Sequence, residues 1–296
     1  MTEPLLSRFV RTIARPVGKS EQKRARLHLL DWLACIAGAR GSEAHALGSA
    51  ISTRGWERAT YSGNSLGVED FHASAALRPG PVIWPAALSM PSADMSMRLD
   101  AAVRGYETVI AIGAALDAYH ADHWDSTASV GVLGACTAFG SLIGFAPIEY
   151  ANALGNAGSV AGGLRHFQHD DVLTAQWHVF HAVRTGRDAA LHVHYGATGP
   201  QAVIEGAQGV FAAMTREPGE LASNGVGWLI GNVGFKPWES LRDGETIDGE
   251  DSVIEKMYKL ARHGGLNEAA AERAVKLALE SDDVEALDTM LEEWTR

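Results

Sequence analysis

Thr127 to Phe145 read TASVGVLGACTAFGSLIGF, a run without charge in which glycine and alanine recur between bulkier apolar residues. Small side chains at near-regular spacing let neighbouring helices approach closely, so this stretch predicts the central buried helix of the molecule. Upstream, Leu99 to Ala118 places Val103, Tyr106, Ile110 and Ala114 on one helical face. Residues 21–38 (EQKRARLHLLDWLACIAG) open polar, become apolar-faced and stop at Gly38 and Gly41. Downstream, Pro147 marks a helix start followed by the small-residue segment Ala151 to Gly163. The chain closes with three short amphipathic helices, VIEKMYKLARHGG, EAAAERAVKLALES and DVEALDTMLEEWTR. Residues 62–82 are punctuated by Gly and Pro and read as irregular. Residues 236–252 (KPWESLRDGETIDGEDS) are polar, acidic and loop-like. No segment alternates as a β-strand does, so the fold class is all-α, a single multi-helix domain.

The 296 residues are 46% hydrophobic, enough for one large core or two small ones. A formal charge of -11 argues against nucleic acid, which needs clustered basic surface, and disfavours an anionic membrane. A small anionic ligand is compatible with it, because a few local arginines override the net charge. The two cysteines, Cys35 and Cys136, each lie in an apolar stretch and fit no metal or redox spacing. They read as buried thiols in a reducing compartment, so the expected location is cytoplasmic. Met1 to Val10 has no signal-like apolar core, and no apolar run reaches the roughly 18 residues of a membrane span.

Five stretches in order carry a resemblance. They are ARLHLLDWLACIAGA (25–39); RPGPVIWPAALSM (78–90) with AAVRGYETVIAIGAAL (101–116); STASVGVLGACTAFGSLIGF (126–145) with YANALGNAGSVAGGL (150–164); ATGPQAVIEGAQGVFAAM (197–214); and Gly234-Phe235-Lys236-Pro237. Together they resemble the helical domain of the MmgE/PrpD family, which includes 2-methylcitrate dehydratase, cis-aconitate decarboxylase and iminodisuccinate epimerase. The resemblance divides the chain into a helical domain (1–237), a loop (238–251) where the family's α+β lid would stand, and C-terminal helices (252–296) returning to the same domain. It implies a homodimer, with another MmgE/PrpD chain as a possible partner. It also implies a small polycarboxylate ligand and chemistry that uses no cofactor and no metal.

The resemblance further implies a pocket whose proton-shuttling residues are His, Asp and Lys, and this sequence departs from that pattern. Arg78 stands where a His is usual before Pro-Gly, Asp125 where a His precedes the Thr-Ala motif, and Ala175 and Gln176 where Lys and Arg are usual. An Asp-rich segment before that turn has no evident counterpart, since residues 72–77 lead straight into it. His178 and Lys236 match. Arginine and alanine cannot shuttle a proton at neutral pH, so the usual route is altered. Asp125, His123, His178 and Lys236 are the expected catalytic residues, and Arg78, His166 and His169 the expected substrate-binding ones. Three HxxH pairs, His120/His123, His166/His169 and His178/His181, have a spacing that could hold Zn²⁺ with nearby aspartates, but none is an H-E-x-x-H motif, and no metal is expected. Two functions follow: a lyase or isomerase working by proton transfer through a non-standard His/Asp site, or a non-catalytic relative that binds a carboxylate or supports another MmgE/PrpD chain.

Overall fold

The computed structural model describes residues 3–239 and 245–296. The first helices are α1 (Leu5–Ile13), α2 (Lys19–Gly38), α3 (Glu43–Ile51), α4 (Gly55–Ser62) and α5 (Gly80–Ala87). The middle of the chain holds α6 (Met95–Gly113), α7 (Ala118–His123), α8 (Ser126–Ser129), α9 (Gly131–Leu142), α10 (Pro147–Gly158) and α11 (Thr174–His194). After these come α12 (Val210–Met214), α13 (Glu250–His263), α14 (Glu268–Leu279) and α15 (Val284–Trp294). Two 3-10 turns, Arg165–His169 and Leu229–Asn232, complete the set. The described residues contain four isolated β-bridges and no sheet, so the molecule is all-α as its periodicity predicts. Of the loop expected at 238–251, residues 240–244 lie outside the described residues.

Helix α9 is the axis around which α5, α6, α10 and α11 pack. Its small residues are what allow this. A Cβ on Gly134 would stand 2.2 Å from Val109 of α6, and one on Gly186 of α11 would stand 2.5 Å from the Val132 carbonyl. The predicted central helix differs in one respect. It is broken at Val130, whose backbone (φ -96°, ψ -15°) separates the single turn of α8 from α9. Asp125 caps that turn, its Oδ1 accepting from the Thr127 amide at 3.1 Å. The residue expected to do chemistry thus starts the short turn that precedes α9.

Buried ion pairs pin the C-terminal helices. Lys256 of α13 donates to Asp31 of α2 at 2.5 Å and to the Val68 carbonyl at 2.6 Å, and all three groups are away from water. Burial pushes the Asp31 carboxyl up to about 7, against the pull of the Lys256 charge. Arg98 of α6, fully buried, grips Asp288 of α15 with both terminal nitrogens, at 2.6 and 2.8 Å. Both cysteines are free and buried, and burial pushes their thiol pKa values up. Among the described residues no helix is long and apolar enough to cross a membrane.

Removing one partner of a buried pair costs more than the pair itself contributes, because a desolvated charge is left behind. Lys256→Met is expected to destabilise the protein by about 3–5 kcal/mol, and the double variant Asp31→Leu/Lys256→Met by much less. Urea unfolding followed by circular dichroism measures both.

Candidate functional site

A cavity of about 290 Å³ opens where α8, the 165–169 turn and the segment before α5 meet. Its walls include Arg78, Trp124, Asp125, Ser126, Thr127 and Arg165. Asn64, Phe71, Ala76, Leu77, Phe167, Gln168 and Ala175 complete the lining. The backbone builds it economically. Asp125 donates its amide to the Gly163 carbonyl at 2.8 Å, bringing the chain after α10 against α8. Gly163 has φ +116°, and a Cβ there would stand 2.8 Å from Ala128, so only glycine permits that approach. On the opposite wall Ala76 is held at φ +48°, the left-handed region, within a tight turn that pairs His72 with Leu77. The Arg78 amide donates to Thr127 Oγ1 at 3.1 Å and joins the two walls.

Arg78 is half-buried at the cavity edge, with its Nη1 3.5 Å from the buried Glu69 carboxylate. Asp125 is largely buried, and its Oδ2 is 3.6 Å from Nδ1 of His178, which lies behind it on α11. The edge of the His178 ring meets Phe167, with centroids 5.3 Å apart. Arg165 anchors one guanidinium nitrogen on the Ala121 carbonyl while lining the cavity. Two cations and one carboxylate thus share a small concavity, an arrangement suited to an anion that carries a transferable proton.

The expected convergence of seven residues is corrected in four places. His123 is exposed, and its Nδ1 turns back along α7 to the Tyr119 carbonyl at 2.8 Å while its ring packs on the Tyr119 ring, centroids 4.2 Å apart. His166 and His169 flank Phe167 but face solvent, their rings 5.4 Å apart. Lys236, expected at the mouth, is 1% exposed, lies 5.1 Å from the ring of the lining residue Phe71 and does not itself line the cavity. Arg78, Asp125 and His178 do come together. Ala175 and Gln176, at the usual Lys and Arg positions, serve the wall instead. The Ala175 carbonyl accepts from Asn64, and the Gln176 amide donates to the Asn64 carbonyl at 2.9 Å. Among the described residues, no group of three or more His, Cys, Asp or Glu side chains could hold a metal ion.

Several residues at the site are not among the seven expected ones. His120 is fully buried between two serines, 2.8 Å from Ser129 Oγ and 3.4 Å from Ser126 Oγ, and Ser126 lines the cavity. Desolvation depresses its pKa to about 4, so the imidazole is neutral near pH 7. Glu69 and Asp70 lie directly beneath the Arg78 turn, where no counterpart of the family's Asp-rich segment was expected. Asp70 accepts from His28 Nδ1 at 2.8 Å, from Tyr106 at 2.5 Å and from the Gly80 amide at 2.8 Å. Burial holds the His28 pKa below its usual value, against the opposing pull of Asp70, and burial with the Asp70 charge raises the Tyr106 phenol well above its own. The adjacent pair Glu69-Asp70 just ahead of Arg78-Pro79-Gly80 was the only available hint.

Residues 59–220, which include this cavity apart from its supports on α2, match the family model for the MmgE/PrpD N-terminal domain. The chain belongs to the MmgE/PrpD family. It is also 29% identical over 161 residues to a cis-aconitate decarboxylase-like protein of Aspergillus oryzae. That alignment covers 50% of this chain and 33% of the relative's length. Within the MmgE/PrpD domain, the matched span holds Arg78, Asp125, His178, Glu69 and Asp70, whereas His28 and Lys236 lie outside it.

A buried neutral histidine makes stability depend on pH. Its folded pKa is below the unfolded value of 6.5, so the unfolded chain binds the proton first and stability falls as pH drops from 6.5 towards 4. His28 acts in the same direction and Asp31 in the opposite one, so the His120 share is read by difference. In His120→Gln the loss of unfolding free energy across that window is expected to be smaller than in the wild type, as measured by urea titrations at each pH.

Proposed function

We propose that this MmgE/PrpD chain acts on a small di- or tricarboxylate by proton transfer, as a lyase or isomerase, at the cavity of Arg78, Asp125 and Arg165. The observation that carries the reading is the placement of Asp125, backed by His178 at 3.6 Å, in the same concavity as two guanidinium groups. A guanidinium binds a carboxylate through paired N–H donors, and Arg78 has donors beyond the one directed at Glu69. Held this way, the acid presents its α-carbon proton to the Asp125 carboxylate. The arginine charge stabilises the negative charge that develops on the substrate carboxylate as the C–H bond breaks. His178, with its Nδ1 3.6 Å from the Asp125 carboxylate, supports that side chain and is placed to pass its proton on. Return of the proton to the other face isomerises the substrate, and departure of a β-substituent makes the reaction an elimination. The segment 238–251 stands, in this reading, where the family's second domain would be.

A second reading is favoured by a specific observation. His123, His166 and His169 lie outside the cavity, which leaves it few groups for acid–base work. A relative that binds a carboxylate without turning it over, or that supports another MmgE/PrpD chain, needs only the arginines.

The two readings separate on one experiment. Citrate-, aconitate- and aspartate-like acids are incubated with the protein in deuterium oxide, and α-carbon exchange is followed by NMR. Exchange that disappears in Asp125→Asn and drops in His178→Ala supports the enzyme. Binding without exchange, weakened about ten- to a hundred-fold in Arg78→Ala as expected for loss of a charge-assisted pair, supports the binder.

A further inference from the structure

We infer that Glu69 is a positioning residue for Arg78: its buried carboxylate tethers one arm of the guanidinium and thereby aims the remaining donors into the cavity. The inference deepens the proposed function, since it rests on Arg78 as the carboxylate clamp.

Glu69 is 1% exposed and its two oxygens have separate duties. Oε1 accepts from the Leu66 amide at 3.1 Å and the Gly67 amide at 3.2 Å, which fixes the carboxylate to the backbone turn beneath it. Oε2 has no hydrogen bond among the described residues, and the cation it faces is Nη1 of Arg78, 3.5 Å away. The neighbouring Lys256 ammonium is already committed to Asp31 and the Val68 carbonyl. Arg78 shows the complementary picture. Its backbone amide is tied to Thr127 Oγ1, its side chain is 35% exposed at the cavity edge, and Glu69 is its guanidinium's sole ion-pair partner among the described residues. An arginine side chain has several rotatable bonds, and a carboxylate locked in place removes much of that freedom before any ligand arrives.

The chemistry of the swap to glutamine gives the effect a sign. Oε1 of Glu69 accepts from two amides and Oε2 faces the Arg78 cation, whereas a glutamine has one acceptor oxygen and one donor NH₂. In Glu69→Gln either the Leu66 and Gly67 amides face an NH₂, or Arg78 does. The second arrangement costs less, because the backbone turn cannot move away and the arginine can. Arg78 is therefore released from its tether, although the negative charge beneath it has gone and a bare electrostatic view would predict tighter anion binding.

The test has a ligand-free arm. The full chain is treated with phenylglyoxal, and modification of Arg78 and Arg165 is followed by peptide mass spectrometry in the same digest. A guanidinium held against a fixed carboxylate offers fewer free nitrogens to the dicarbonyl reagent, so Arg78 is expected to react about ten-fold faster in Glu69→Gln relative to Arg165, the size of a typical coupling between contacting residues. An unchanged ratio overturns the inference. In the second arm, citrate is titrated calorimetrically into wild type, Glu69→Gln, Arg78→Ala and the double variant. A positioning role predicts that Glu69→Gln weakens binding and that the double variant is no worse than Arg78→Ala. Additive losses, or unchanged or tighter binding in Glu69→Gln, overturn it. If Arg78→Ala binds citrate as the wild type does, or the wild type does not bind it, the clamp reading fails and the phenylglyoxal ratio alone decides the tether. Should Glu69→Gln fail to fold, Glu69→Asp carries both arms, because it keeps the charge and withdraws the carboxylate from Arg78.

Discussion

The carboxylate of Asp70 holds together three parts of the chain that are remote in sequence. It is 2% exposed and receives a proton donor from His28 on α2, from Tyr106 on α6 and from the Gly80 amide at the start of α5. A hydrogen bond to a charged acceptor contributes about 1.5–3 kcal/mol, and a buried carboxylate deprived of one would leave its remaining lone pairs unsolvated. With the carboxylate fixed, its chain neighbours are fixed too. Glu69 on one side meets Arg78. Phe71 on the other side exchanges backbone hydrogen bonds with Gly234, at 2.9 and 3.0 Å, and presents its ring to the cavity. The Pro79-Gly80 turn is seated by the same contact, and a Cβ on Gly80 would stand 2.8 Å from Asp70 Oδ1. The cavity wall is in this sense a consequence of one buried anion.

The helices were legible in the sequence because their signal is repeated: each turn restates which face is buried, as Val103, Tyr106 and Ile110 do along α6. Even there, the pattern blurs a local event. The apolar run through Val130 carries no mark of the break between α8 and α9, nor of the cap that Asp125 places on α8 from outside the run. The site was legible only where the backbone leaves a side chain little choice. Asp125 and Arg78 flank well-defined turns, and their placement follows from chain geometry. His123, His166 and His169 sit near the same turns, but each is on a helix end or 3-10 turn where a rotation of χ1 decides between cavity and solvent, and spacing says nothing about χ1. Glu69 and Asp70 were missed for the opposite reason. They lie in an irregular segment between α4 and α5, where no periodicity distinguishes a buried acid from a solvated one.

The two departures at the cavity are physically linked. The resemblance places a histidine at both position 78 and position 125, each able to carry a charge or exchange a proton. This chain has an arginine at one and an aspartate at the other, which divides those tasks between the two walls. Arginine stays protonated throughout the accessible pH range, so position 78 can only hold and polarise an anion. On the proposed reading, proton exchange falls to Asp125 and His178, since His120, buried between two serines beside the cavity-lining Ser126, is held neutral and its pKa near 4 makes it a weak base. A permanent cation also needs a permanent counterion when no ligand is present, or it folds back on the nearest carboxylate. The nearest one facing the same space is Asp125. Glu69, anchored below the wall by two amides and 3.5 Å from the Arg78 guanidinium, is placed to supply that counterion from behind. If Asp125 takes the proton as proposed, a fixed buried glutamate is what lets an arginine stand at the opposite wall and leave that acid free.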